Sequence, residues 1–269
     1  MLDPIYVLAR AVLFDALETL GDHIEALILV GAQAIYLHAG EGDLATAPYT
    51  TDGDLVIDPA VLKERPDLAE AMARAHFQLR EREVGRWWAE RTVEGKKVVV
   101  PVDLLVPAAV GGPGRRSARL EGHGRGVARK VVGLEACLVD NDVHEIRALD
   151  PADKRSFRLR VAGPGALLVA KAHKIADRAG DERARDKDAL DIYRLLRATN
   201  PDDVGRRLRA CLEDEVSARI TREAADYLGP FFADREREGS LMAQRAAGGE
   251  PEVALAVSLL VQEVLDELG

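Results

Sequence analysis

The apolar positions change period along the chain, and the changes mark out its elements. Residues 4–20 repeat apolar side chains at helical spacing, with Asp3 as N-cap and Pro4 at the first helical position. Residues 26–30 (ALILV) form a continuous apolar run of strand length that stops at Gly31, and 32–39 then read as a short helix. A polar connection over 41–51 leads to a second apolar strand at 55–57, closed by Asp58-Pro59, and a helix is predicted over 60–75. Strands are predicted at 77–79 and 87–93, a hairpin turn at Glu94-Gly95, and a long strand at 98–106, where Pro101 suggests an edge or a bulge. Residues 111–126 are Gly- and Arg-rich and predict a loop of weak order, and 127–161 predict two or three short strands. After Gly163 the pattern turns helical, at 167–178, 186–197 and 202–269, with breaks expected at Gly229-Pro230 and at 248–251. The predicted plan is α+β: an α/β N-terminal part over 1–162 and a helical C-terminal part over 163–269.

Composition adds exclusions. The 269 residues carry a net charge of −9, which argues against nucleic-acid binding over the whole surface. Lysine is scarce, at eight of the 37 basic residues, and Lys171, Lys174 and Lys187 lie close together. From Gly111 to Gly133, however, Arg115, Arg116, Arg119, Arg125, Arg129 and Lys130 face Glu121 alone, a local basic segment suited to phosphate and hence to RNA, or else simply solvated. No apolar run is long enough to span a membrane, the N-terminus lacks the basic start of a signal peptide, and Cys137 and Cys211 are too few for a disulfide scaffold, so a cytoplasmic protein is expected. The histidines have no zinc spacing, and no GxxxxGK[ST] phosphate loop occurs.

The candidate chemistry lies in three aspartates. Asp52 and Asp54 stand two residues apart at the head of a strand, so both point to one face. Asp103 is framed by strand on both sides. If the two strands are neighbours, three carboxylates converge, and like charges so packed need a cation. Oxygen ligands suit Mg²⁺ together with substrate phosphates. The plainer alternative is that Asp52 and Asp54 cap a turn and Asp103 meets solvent. Gly31, at a strand–helix corner, permits close backbone approach beside a helix N-terminus that favours anions.

Helix, strand-Gly31-Ala32-helix, Asp52-Gly53-Asp54-strand and a later strand with Asp103 together resemble the nucleotidyltransferase superfamily typified by DNA polymerase β. The helical Lys171 followed by Lys187-Asp188-x-x-Asp191 narrows the resemblance to the abortive-infection AbiEii-like toxins, over roughly residues 25–200. The resemblance implies a mixed sheet flanked by helices, with a helical domain completing the nucleotide site. It implies that Asp52, Asp54 and Asp103 hold two Mg²⁺ ions, that Gly31 and Ala32 meet the triphosphate, and that Lys171 and Asp188 bind nucleotide, with Lys174, Lys187 and Asp191 as secondary candidates. The implied reaction moves an NMP from an NTP to an acceptor hydroxyl, RNA such as a tRNA 3′ end, with a cognate antitoxin as a further partner. A small acceptor such as an aminoglycoside, and a binding protein without chemistry, are the alternatives. Two features depart from the family pattern: Ala32 lacks a hydroxyl, and the spacing from Gly31 to Asp52 is long, through an insertion at 41–49.

Helical geometry bears on the same residues. With Leu168, Ala172 and Ile175 on the apolar face, Lys171 lies roughly 60° from its centre and Lys174 roughly 120°. Lys171 is therefore expected to be partly buried. Asp188 falls inside the apolar arc of the next helix and needs a partner, for which Lys171 is the candidate; a plain interhelical ion pair would satisfy both. Asp191 and Lys187 are expected on the solvated side.

Overall fold

The structure, a computed structural model, describes residues 2–40, 50–93, 95–177 and 182–268. The expected connection and insertion at 41–49, Glu94 of the expected turn, and Arg178 at the end of an expected helix lie outside the described residues. The chain divides into two compact units. The first comprises Met1–Gln33, Pro48–Val131 and Asp142–Val161; the second comprises Ala34–Ala47, Val132–Asn141 and Ala162–Gly269.

The chain runs α1 (Pro4–Thr19), β1 (Leu27–Val30), α2 (Gly31–Ala39), β2 (Gly53–Ile57), α3 (Leu68–Arg74), β3 (Gln78–Leu79), β4 (Arg86–Val93), β5 (Lys96–Pro107), β6 (Arg129–Val131), β7 (Asn141–Arg147) and β8 (Ser156–Ala162). Helices α4 (Pro164–Asp177), α5 (Glu182–Ala198), α6 (Pro201–Glu213), α7 (Ala218–Phe232), α8 (Glu238–Ala246) and α9 (Pro251–Asp266) follow. The architecture is α+β.

The first unit holds a mixed sheet in the order β3-β4-β5-β2-β1-β8-β7, with β6 extending along β5. Its centre is apolar because β1 (LILV) is wholly buried between antiparallel β2 and parallel β8. Helix α1 begins as the sequence predicts: the Ile5 amide donates to the Asp3 carboxylate at 2.7 Å, with Pro4 in the first turn. The predicted helix over 60–75 shrinks to α3. Pro66 cannot donate a helical hydrogen bond and disfavours helix at Arg65, so the helix starts only after Asp67, whose carboxylate accepts from the Glu70 amide at 2.9 Å. Of the two readings of Pro101, an edge strand or a bulge, the edge is not found, because β5 lies between β4 and β2. The proline pairs with Trp88 of β4, and pairing to β2 begins only at Val102, so Pro101 itself has no β2 partner.

In the second unit, α4 starts three residues earlier than predicted because its cap comes from far back in the chain. The Asp140 carboxylate accepts from the Ala166 amide at 2.8 Å and from Arg207 at 2.7 Å. The predicted break at Gly229-Pro230 does not occur; α7 ends two residues after Pro230. The chain breaks instead at 214–217, where the Asp214 carboxylate accepts from the Val216 and Ser217 amides at 3.0 and 2.9 Å. The break before α9 is as predicted, with Gly248 and Gly249 at positive φ and Pro251 opening the helix. Cys137 and Cys211 are buried free thiols, and burial pushes Cys211 up to about 12. Among the described residues no helix is long and apolar enough to cross a membrane.

Candidate functional site

Strands β2 and β5 are parallel neighbours, and the register sets Asp54 directly beside Asp103. Neighbours at one register share a face of the sheet, so Asp54 and Asp103 do, while Asp52 lies one residue before β2. All three carboxylates act on one guanidinium. Arg86 is held above its ordinary pKa, first by its hydrogen bond to Asp103 against the opposing effect of burial, then by the charges of Asp103, Asp52 and Asp54.

The corner after β1 is shaped around Asp54. Gly31 takes φ +70°, and a Cβ there would lie 2.1 Å from Asp54 Oδ2. Val30 pairs with Asp54 across the sheet, so the carboxylate rests against the start of α2. Ala32 is buried in that first turn.

Asp52 is braced by residues that the sequence did not single out. Thr50 Oγ1 donates to its Oδ1 at 2.6 Å, and Gln33 Nε2 donates to its backbone carbonyl at 2.8 Å. Gln33 Oε1 in turn accepts from Arg10 Nε at 2.6 Å, and Arg10 also donates to the Arg147 carbonyl at 3.2 Å. Arg10 and Gln33 are both buried, so the Asp52 backbone is tied through α2 to α1.

Asp103 is the most enclosed of the three, at 2% exposure. Arg86 grips it with two parallel bonds, Nε to Oδ1 at 2.7 Å and Nη2 to Oδ2 at 2.9 Å, and Arg129 Nη2 adds a third to Oδ2 at 3.1 Å. Arg86 pairs with Asp103 across β4 and β5, whereas Arg129 comes from β6. The sequence offered Arg129 only as part of the basic segment and did not single out Arg86. A strand arginine flanked by Gly85 and Trp87 was the available signal.

Asp52 and Asp54, both half-buried, keep the chemistry to meet a divalent cation together with phosphate oxygens. Asp103 accepts from arginines at both of its oxygens. Among the described residues no three His, Cys, Asp or Glu side chains form a group able to hold a metal ion. With Asp103 engaged by two guanidinium groups, the residues as placed do not form a ready-made two-ion site.

The second unit brings together Lys171, Asp188 and Asp191. Lys171 Nζ donates to Asp188 Oδ1 and to Asp191 Oδ2, both at 2.6 Å. Burial alone would lower the Lys171 pKa, but the two carboxylates outweigh it and hold it far above the ordinary lysine value. Asp188 is the partner expected for Lys171. Asp191 is not solvated as expected: it is fully buried, binds Lys171 rather than Lys187, and also accepts from Arg194 at 3.3 Å. The reason is that α5 packs against α4, α8 and α9, so burial extends over every residue from Asp188 to Leu196 rather than one stripe. Lys174 and Lys187 are half-buried.

The basic segment is not the weakly ordered loop that its composition suggested. The Ala118 amide donates to the Ala128 carbonyl at 3.0 Å and the Lys130 amide to the Arg116 carbonyl at 2.8 Å. His123 links it to the start of α3 and to the chain before it: Nδ1 accepts from the Leu68 amide at 3.2 Å, leaving Nε2 to donate to the Lys63 carbonyl at 3.0 Å. Burial, the largest influence, lowers the His123 pKa and favours this neutral ring. Arg115, Arg116, Arg119 and Arg125 are all exposed, and none forms an ion pair with a described residue. Arg115, Arg119 and Arg125 border a cleft of about 620 Å³.

Comparison with protein-family models, curated proteins and solved structures yields no match.

Proposed function

We propose that this protein is a nucleotidyltransferase that moves an NMP from an NTP to an acceptor hydroxyl, with RNA as the acceptor. The observation that carries this reading is the in-register pair Asp54–Asp103, with Asp54 seated over the Gly31 corner and the charge of Asp52 reaching the same Arg86. A divalent cation arriving with the nucleotide would neutralise phosphate charge. On the protein's side, Asp52 and Asp54 supply carboxylate oxygens, and the Thr50, Gln33 and Arg10 chain fixes Asp52. Phosphate would meet the start of α2, at Gly31 and Ala32, where a helix N-terminus favours anions. Such a site works by positioning and charge compensation. Lys171 enters as a buried brace for Asp188 and Asp191, because its ammonium is already shared between them. A cognate antitoxin is the proposed protein partner.

RNA is favoured as acceptor by the four exposed arginines, which have no carboxylate partner among the described residues. Replacing Arg115, Arg116, Arg119 and Arg125 by Ala should weaken RNA binding and reduce the slope of log K against log salt by about 3, at roughly 0.7 for each phosphate of a single strand that is no longer neutralised. Fluorescence anisotropy of a labelled RNA across a salt series measures this; an unchanged slope removes the loop from the binding surface. The reaction itself is tested by incubating the protein with each labelled NTP, Mg²⁺ and total RNA. Label on RNA is expected; label on no acceptor refutes the reading.

A further inference from the structure

Two neighbouring carboxylates on one sheet face repel unless a cation lies between or beside them. Here that cation is part of the chain. Arg86 and Arg129 make three hydrogen bonds of 2.7–3.1 Å to Asp103, covering both of its oxygens. Their positions are fixed by the sheet. Gly85, at φ +73°, lets the start of β4 lie so close to its neighbours that a Cβ would stand 2.5 Å from the Arg129 amide nitrogen and 2.6 Å from the Leu104 carbonyl oxygen. The Gly85 amide donates to Gly126 and its carbonyl accepts from Leu104 at 2.7 Å. An incoming hydrated ion would have to shed water and approach Asp103 against two guanidinium charges that already take three of its roughly four lone-pair positions.

We propose that Arg86 and Arg129 stand in place of a second divalent cation, so that the site takes one cation, at Asp52 and Asp54, instead of two. This rests on the proposed transferase reading, which resemblance would pair with two ions.

Counting bound Mn²⁺ by electron paramagnetic resonance on the full chain, without nucleotide, tests it. The parent protein should bind one equivalent at this site, lost in Asp54→Asn. The Arg86→Ala/Arg129→Ala double variant should bind two. Two equivalents lost together in Asp54→Asn, or none in the parent, overturns the inference, as does a folded double variant that still binds one. If the double variant fails to fold by circular dichroism, the parent count decides alone. The count needs no turnover and so separates the two readings. Transfer by a protein holding two ions refutes the arginine substitution and leaves the reaction standing. One bound ion with no transfer to any acceptor does the reverse.

Discussion

Gly31→Ala should disable the site through the backbone. Any side chain at φ +70° is strained by about 1–2 kcal/mol, and the new methyl would overlap Asp54 Oδ2, 2.1 Å from its position. The carboxylate must move, and a displacement on the order of 1 Å at a reacting centre is enough for about a hundredfold loss. Nucleotide transfer should therefore fall at least about a hundredfold, while circular dichroism shows a folded protein with a modestly lower melting temperature. Transfer at the parent rate would show that Asp54 need not sit where the structure puts it.

The largest stability effect is expected from Lys171→Met. Methionine fits the stem but leaves Asp188 and Asp191 buried without their shared cation, and removing one partner of a buried ion pair costs about 3–5 kcal/mol. Thermal melting should drop by about 10 °C, at a few degrees per kcal/mol for a chain of this size. Adding Asp188→Asn should recover part of the loss, because Asp191 still has Arg194. The pH dependence has a definite sign. The folded pKa of Lys171 is raised, so its contribution is complete below the ordinary lysine value and is lost only as pH climbs through the raised one. The lysine's own share of the difference between parent and variant should then stay constant from neutral to mildly alkaline pH. A variant that melts with the parent would contradict the buried pairing.

Local signals carried much of this fold. Asp3-Pro4 opens α1, LILV makes the buried β1, and the two strands expected to carry Asp54 and Asp103 are neighbours that set them side by side, although Asp52 lies one residue before its strand. What remained hidden came from residues distant in sequence. Asp103 meets Arg86 and Arg129, 17 and 26 positions away, and neither pairing has a local signature. The same holds for Gln33 on Asp52 and for Asp140 capping α4 across 26 residues. Asp191 was misplaced because a helical wheel assumes one buried face, whereas α5 is covered by three helices. The basic segment was legible in charge but not in order, since its backbone bonds to strand residues are invisible to composition.

The most direct measurement compares the parent and Asp54→Asn proteins for transfer of label from NTP to RNA in the presence of Mg²⁺. The parent should label RNA, and the variant, equally folded, should be slower by about a hundred- to a thousandfold, the scale on which a single preorganised charge interaction acts. Equal labelling by the two proteins would contradict the carboxylate site.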